Sequence, residues 1–107
     1  MTLEDSTAID AIGKKDSQLV LMISDSGITT DPKKRLEYLL KKLKTYTHFV
    51  MSDQFRKEYP KTRPKEVLIK IICNTEPTKE MKELTRISPS PNDKENFISI
   101  EYIVFKN

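Results

Sequence analysis

Few side chains in this chain have types and spacing suited to chemistry. There is one histidine, His48, and one cysteine, Cys73, among 107 residues. A histidine acid–base site needs a partner that orients the ring, and no neighbouring motif supplies one, so His48 reads as a solvated residue near a helix end. Cys73 ends the run VLIKIIC. A reactive thiolate needs cationic or helix-dipole help to form, whereas alternation with Ile69 and Ile71 points this side chain into a core, where free cysteine is commonly buried and inert. One Cys and one His cannot make a closed zinc site with the usual ligand spacing. Four carboxylates, Asp10, Asp16, Asp25 and Asp31, crowd the N-terminal third beyond the first seven residues. Paired acids could hydrolyse a substrate if they converged, but Asp16, Asp25 and Asp31 stand where turns are expected, and turn and cap roles are the commoner use. No catalytic, cofactor or metal constellation follows from these residues, and no small-molecule substrate is evident. The expectation is a protein that is not an enzyme.

Lysine and arginine carry a stronger signal. Residues 33–65 hold eleven of them against Glu37, Asp53 and Glu58, a local balance of +8 in a chain of net +3, which leaves −5 elsewhere. Lys34, Lys41, Lys42 and Lys44 are expected off the apolar stripe of one helix, with Tyr38 and His48 among them and Arg56 just beyond. Such a run is most often a solvated face that keeps a helix soluble. Its functional uses are a protein partner of opposite charge or a nucleic acid. No helix-turn-helix, RNP-type or KH-type pattern accompanies it, and two glycines in the whole chain, Gly13 and Gly27, exclude a glycine-rich phosphate loop. These seven residues are the candidate partner-binding set, with a protein partner ranked above nucleic acid.

The elements that must position them follow from periodicity. Residues 1–7 have little to bury and are expected to be a flexible N-terminus, with residues 8–107 forming one α+β domain. AIDAIG and QLVLMIS, separated by KKDS, read as two strands of a hairpin. Thr30 or Asp31 before Pro32 opens a helix, on which Leu36, Leu39, Leu40, Leu43, Tyr46 and Val50 recur at three- and four-residue steps. That helix ends near Ser52 or within FRKEY, before the loop YPKTRPK. EVLIKIIC suits an inner strand. TEPTKEMKELTRIS is a shorter helix with Met81, Leu84 and Ile87 inward, SPSPNDKEN a loop, and FISIEYIVF an alternating last strand. The order is β-β-α-β-α-β: a four-stranded mixed sheet, inner strands mostly parallel, two helices on one face and the other face partly open. Leu39, Leu40, Leu43, Ile69, Ile71, Ile100 and Tyr102 are the expected core. No apolar run reaches the roughly 18 residues that cross a bilayer, MTLEDSTAID lacks the features of a secretory signal, and a lone cysteine suits a reducing compartment. The expected setting is cytoplasmic, away from membranes.

Several segments together resemble a bacterial family of small proteins of uncharacterised function. The resemblance rests on Ile9, Asp10, Ile12 and Gly13; on Ile23, Ser24 and Asp25; on Leu36, Leu39, Leu40, Lys42, Leu43, Tyr46, Phe49 and Ser52; and on Glu76, Pro77 and Thr78. It covers most of the chain through motifs that are largely structural. Ser26 follows Asp25 where the family pattern has a different turn, often with a histidine. More loosely, proteins of this size and type are similar to the immunity proteins of contact-dependent growth-inhibition and polymorphic toxin systems. That similarity implies a stoichiometric inhibitor of a bacterial toxin domain. The alternative is a small nucleic-acid-binding accessory protein using the same basic helix.

Overall fold

The computed structural model describes residues 2–89 and 96–105. Its strands are β1 (Ala11–Lys15), β2 (Gln18–Asp25), β3 (Val67–Cys73), β4 (Arg86–Ile87) and β5 (Ile98–Val104), and its helices α1 (Pro32–Val50), α2 (Asp53–Glu58) and α3 (Lys79–Glu83). A 3₁₀ turn, Pro64–Glu66, leads into β3. The five strands form one mixed sheet in the order β1-β2-β3-β5-β4. β2, β3 and β5 run parallel, while β1 joins β2 and β4 joins β5 antiparallel. This is the expected α+β class, with one strand and one helix more than expected.

Each departure has a local cause. Ser52 does not continue α1. Its hydroxyl accepts from the Phe55 N–H at 3.2 Å and caps a new helix, α2, which buries Phe55 edge-on against Phe49. The second predicted helix is cut short after Glu83. Arg86 and Ile87 turn extended and pair with Ser99 and Ile98 of β5, so Ile87 packs from a strand and not from a helix. The loop expected over SPSPNDKEN includes residues 90–95, which lie outside the described residues.

The starts of β2, α1 and α3 agree with the residues that encode them. β1, in contrast, begins at Ala11 and takes in Lys14 and Lys15, which the sequence assigns to the turn. A two-residue loop, Asp16–Ser17, turns β1 into β2, and Asp16 takes a left-handed φ of 56°, which Asp tolerates better than most residues. Asp31 caps α1 by accepting from the Lys33 N–H at 3.0 Å, with Pro32 in the first turn. Thr78 caps α3 through the Met81 N–H at 3.2 Å.

Alternation divides β2, β3 and β5 into two faces. Leu19, Leu21, Ile23, Val67, Ile69, Ile71, Cys73, Ile98 and Ile100 point to the helices and join Leu39, Leu43, Tyr46, Val50, Phe55 and Met81 in one core. Tyr102 packs half-buried at its margin. Val20, Met22, Leu68, Lys70, Ile72, Ser99, Glu101 and Ile103 point the other way, onto a face that no helix covers, as expected. Leu40 is a correction: although the sequence puts it on the apolar stripe, it is 48% exposed. The buried arc of α1 is instead Arg35, Leu39, Lys42, Leu43, Tyr46, Thr47 and Val50, so the helix is rotated away from Leu40, while Leu36 packs half-buried against the core. The N-terminal stretch also buries more than its composition suggests. Leu3 is fully buried and its N–H donates to Ser24 O at 2.8 Å.

Candidate interaction surface

Rotation of α1 decides which of the candidate residues can meet a partner. At about 3.6 residues per turn, the residues opposite the buried arc are Lys33, Lys34, Glu37, Leu40, Lys41, Lys44, His48 and Met51, and all eight are exposed. Four lysines and one glutamate therefore surround two apolar side chains, Leu40 at 48% and Met51 at 41% exposure. Among the described residues, none of these four lysines nor Glu37 has an ion-pair partner. Their charge is not spent inside the fold.

Of the seven candidates, Lys34, Lys41, Lys44 and His48 share this face. Arg56 is exposed on α2, where it makes a 3.4 Å pair with Asp53, a surface contact of little energetic weight. Tyr38 is half-buried and packs against the core on the flank of the helix. Lys42 is the correction in the set. Its side chain is wholly withdrawn from solvent and cannot touch a partner.

Lys42 belongs to one of two buried ion pairs whose pairing was not foreseen. Its Nζ lies 2.7 Å from Asp10 Oδ1 and also donates to the Asp5 carbonyl. Asp10 Oδ1 has no aligned hydrogen bond among the described residues, so its compensation is the ion pair. The other carboxylate oxygen, Oδ2, accepts from the Ser24 N–H at 2.9 Å. Tyr46 completes the group: its hydroxyl donates to Met22 O at 2.5 Å and accepts from the Asp10 N–H at 2.9 Å. Burial pushes the Tyr46 phenol well above its ordinary pKa, so it stays protonated as a donor. This network fastens the segment before β1 to α1 and to the end of β2.

The second pair lies at the C-terminal ends of the parallel strands. Arg35 donates to Asp25 Oδ2 through Nε at 2.8 Å, to Glu76 O through Nη1 at 2.7 Å and to Thr75 O through Nη2 at 3.1 Å. Asp25 is fully buried, and its Oδ1 accepts from the Gly27 N–H at 3.2 Å. Gly27 has φ +84°, and a Cβ there would lie 2.9 Å from the Thr75 methyl, so a side chain is opposed by both backbone and space. Cys73 sits beside Asp25 in the β2–β3 register. Burial, reinforced by the Asp25 charge, raises its thiol to about 11. At neutral pH that thiol is protonated and out of solvent, the opposite of an activated nucleophile.

Thus Asp16 and Asp31 serve a turn and a cap as expected, while Asp10 and Asp25 are interior ions. The helical phase carried the signal: Arg35, Leu39, Lys42, Tyr46 and Val50 recur at four- and three-residue steps and share a face. A cleft of about 410 Å³ also opens at the start of α1, lined by Asp31, Pro32, Lys33, Leu36 and Glu80. Its charged rim has both signs and converges on no single group. Among the described residues, no cluster of three or more His, Cys, Asp or Glu is placed to hold a metal ion, and no helix is long and apolar enough to cross a membrane.

The model of a family of unknown function (DUF6572) matches residues 1–102, and the chain belongs to that family. No curated protein and no solved structure matches it.

Proposed function

We propose that this member of the family binds a protein partner through the outer face of α1, as a stoichiometric inhibitor of the immunity type acting on a bacterial toxin domain in the cytoplasm. The observation that carries the reading is the make-up of that face: unpaired Lys33, Lys34, Lys41 and Lys44 around the exposed Leu40 and Met51. Protein interfaces place apolar anchors at the centre of a patch and charge at its rim, where the charge speeds encounter and rejects wrong partners. Glu37 stands among these lysines. Against phosphate it is repulsive, while against a protein of mixed charge it adds register. That favours a protein over a nucleic acid for this face.

The test uses the product of the gene immediately upstream of that of this chain, which this reading expects to carry a toxin domain. The two purified proteins should form a 1:1 complex, and co-expression should restore growth to cells making the toxin domain. Leu40→Asp should weaken the complex by tenfold or more, about 1.4 kcal/mol, without loss of folding. No binding to that domain, together with nanomolar binding of random-sequence duplex DNA at physiological salt, overturns the reading in favour of a nucleic-acid role.

A further inference from the structure

We propose that the uncovered face of the sheet is a self-complementary surface on which a second copy of this chain docks, giving a homodimer of two sheets packed face to face. The face runs across Met22 of β2, Leu68, Lys70 and Ile72 of β3 and Ile103 of β5, all half-buried, and the exposed Glu101, while Val20 of β2 is on the same face but itself buried. The half-buried Phe97 and the 58%-exposed Phe105 extend it past the two ends of β5. None of these apolar residues joins the core packed under the helices. At one edge Arg86 lies over the Phe97 ring, 4.4 Å from its centroid. An apolar sheet surface of this extent is where proteins pair.

What identifies the occupant is the pair of opposite charges at the centre. Lys70 and Glu101 are register partners on adjacent parallel strands. Among the described residues, neither has an ion pair or side-chain hydrogen bond. A two-fold interface presents the same patch on both subunits, so each residue's complement must already lie on that patch. Place the two-fold axis along the strands, midway between β3 and β5. β3 of one copy then lies over β5 of the other, Lys70 faces Glu101 twice, and Ile72 lies over Ile103. A patch bearing only one sign of charge would repel its own copy.

The flat dimensions of the face supply part of the area such a pairing needs. Strands about 4.8 Å apart that rise about 3.3 Å per residue make the β1–β2–β3–β5 face roughly 20 Å by 20 Å in projection. That is on the order of half the roughly 800 Å² per partner of a standard interface, before the relief of the side chains is added. Sheets pack about 10 Å apart with strands nearly aligned, and among the described residues no helix lies on this face. The helices lie on the far side of each sheet, so both α1 faces stay outermost.

Charge exchange tests the pairing in the full-length chain by sedimentation and native mass spectrometry. Wild type should be a dimer. K70E and E101K should each be monomeric, because each sets like charges against one another twice. Mixing K70E with E101K should restore a dimer containing one of each, since every cross-axis pair is then opposite in sign. Thermal melts of the single variants should be retained, which separates lost pairing from lost folding. Wild type that stays monomeric at about 100 µM overturns the proposal. So does a pair of single variants that still dimerise, or a mixture that fails to recombine. Ile72→Asp, on the same face but outside the charge pair, should also give a monomer; a dimer would place the interface elsewhere.

Discussion

Lys42 Nζ lies 2.7 Å from Asp10 Oδ1, with the lysine side chain fully buried in the helical arc that also carries Leu39 and Tyr46. The ammonium is held by that carboxylate and by the Asp5 carbonyl, so it ties residues that precede the sheet to the longest helix. Removing one partner of a buried pair leaves the other charged and unpaired. Lys42→Ala should cost about 3–5 kcal/mol in urea unfolding. The double change Asp10→Asn with Lys42→Met should lose clearly less than the sum of the two singles. Additive losses would mean the two groups are not coupled in the fold.

Leu39 and Leu40 are neighbours with opposite fates, one fully buried and the other on the outer face. Leu39→Ala should lose about 2–5 kcal/mol, the range for emptying a core site, while Leu40→Ala should lose less than about 0.5 kcal/mol. Equal losses in chemical denaturation would contradict the helix rotation.

Cys73 gives a pH dependence. In the native state burial lifts the thiol from 9.0 to about 11, while the unfolded chain ionises at the lower value. The unfolded state therefore gives up its proton first as pH rises. The contribution to stability is intact below about pH 9 and lost between about pH 9 and 11, on the order of 2 kcal/mol. Urea midpoints at pH 8 and 11 should show a drop that Cys73→Ala reduces. Thiol reagents at neutral pH should label Cys73 at the rate of unfolding. Fast labelling of the native protein would contradict its burial.

Changing Lys34, Lys41 and Lys44 together to glutamate should leave the melting temperature within a few degrees, because all three are exposed and unpaired. Association with the proposed protein partner should slow, and the effect should shrink as salt rises, since exposed charges are screened over about 8 Å at physiological ionic strength. A salt-independent loss would point to contacts other than these lysines.

The order of strands and helices was legible where residues alternate or cap without competition. QLVLMIS, VLIKIIC and FISIEYIVF are strands because β-branched and apolar residues recur at step two, and Asp31–Pro32 starts α1 as its types dictate. The short pieces were not legible. β4 has two residues and exists because β5 offers it an edge, which no local pattern records. The outer face was only partly legible. Lys34, Lys41, Lys44 and His48 are exposed as expected, but a lysine and an arginine on the buried arc look like surface residues until their carboxylate partners, Asp10 and Asp25, are brought in from other elements.

Because β5 comes last in the sequence yet lies inside the sheet, between β3 and β4, synthesis and folding cannot advance in step. Until β5 docks, β2 can line one side of β3, but the other side of VLIKIIC has no strand to pair with. A bare apolar strand edge is the kind of surface on which nascent chains stick to one another. The fold is therefore most vulnerable before Ile98–Val104 dock beside β3. Truncations before residue 98 should be insoluble, while chains that end soon after Val104 should fold.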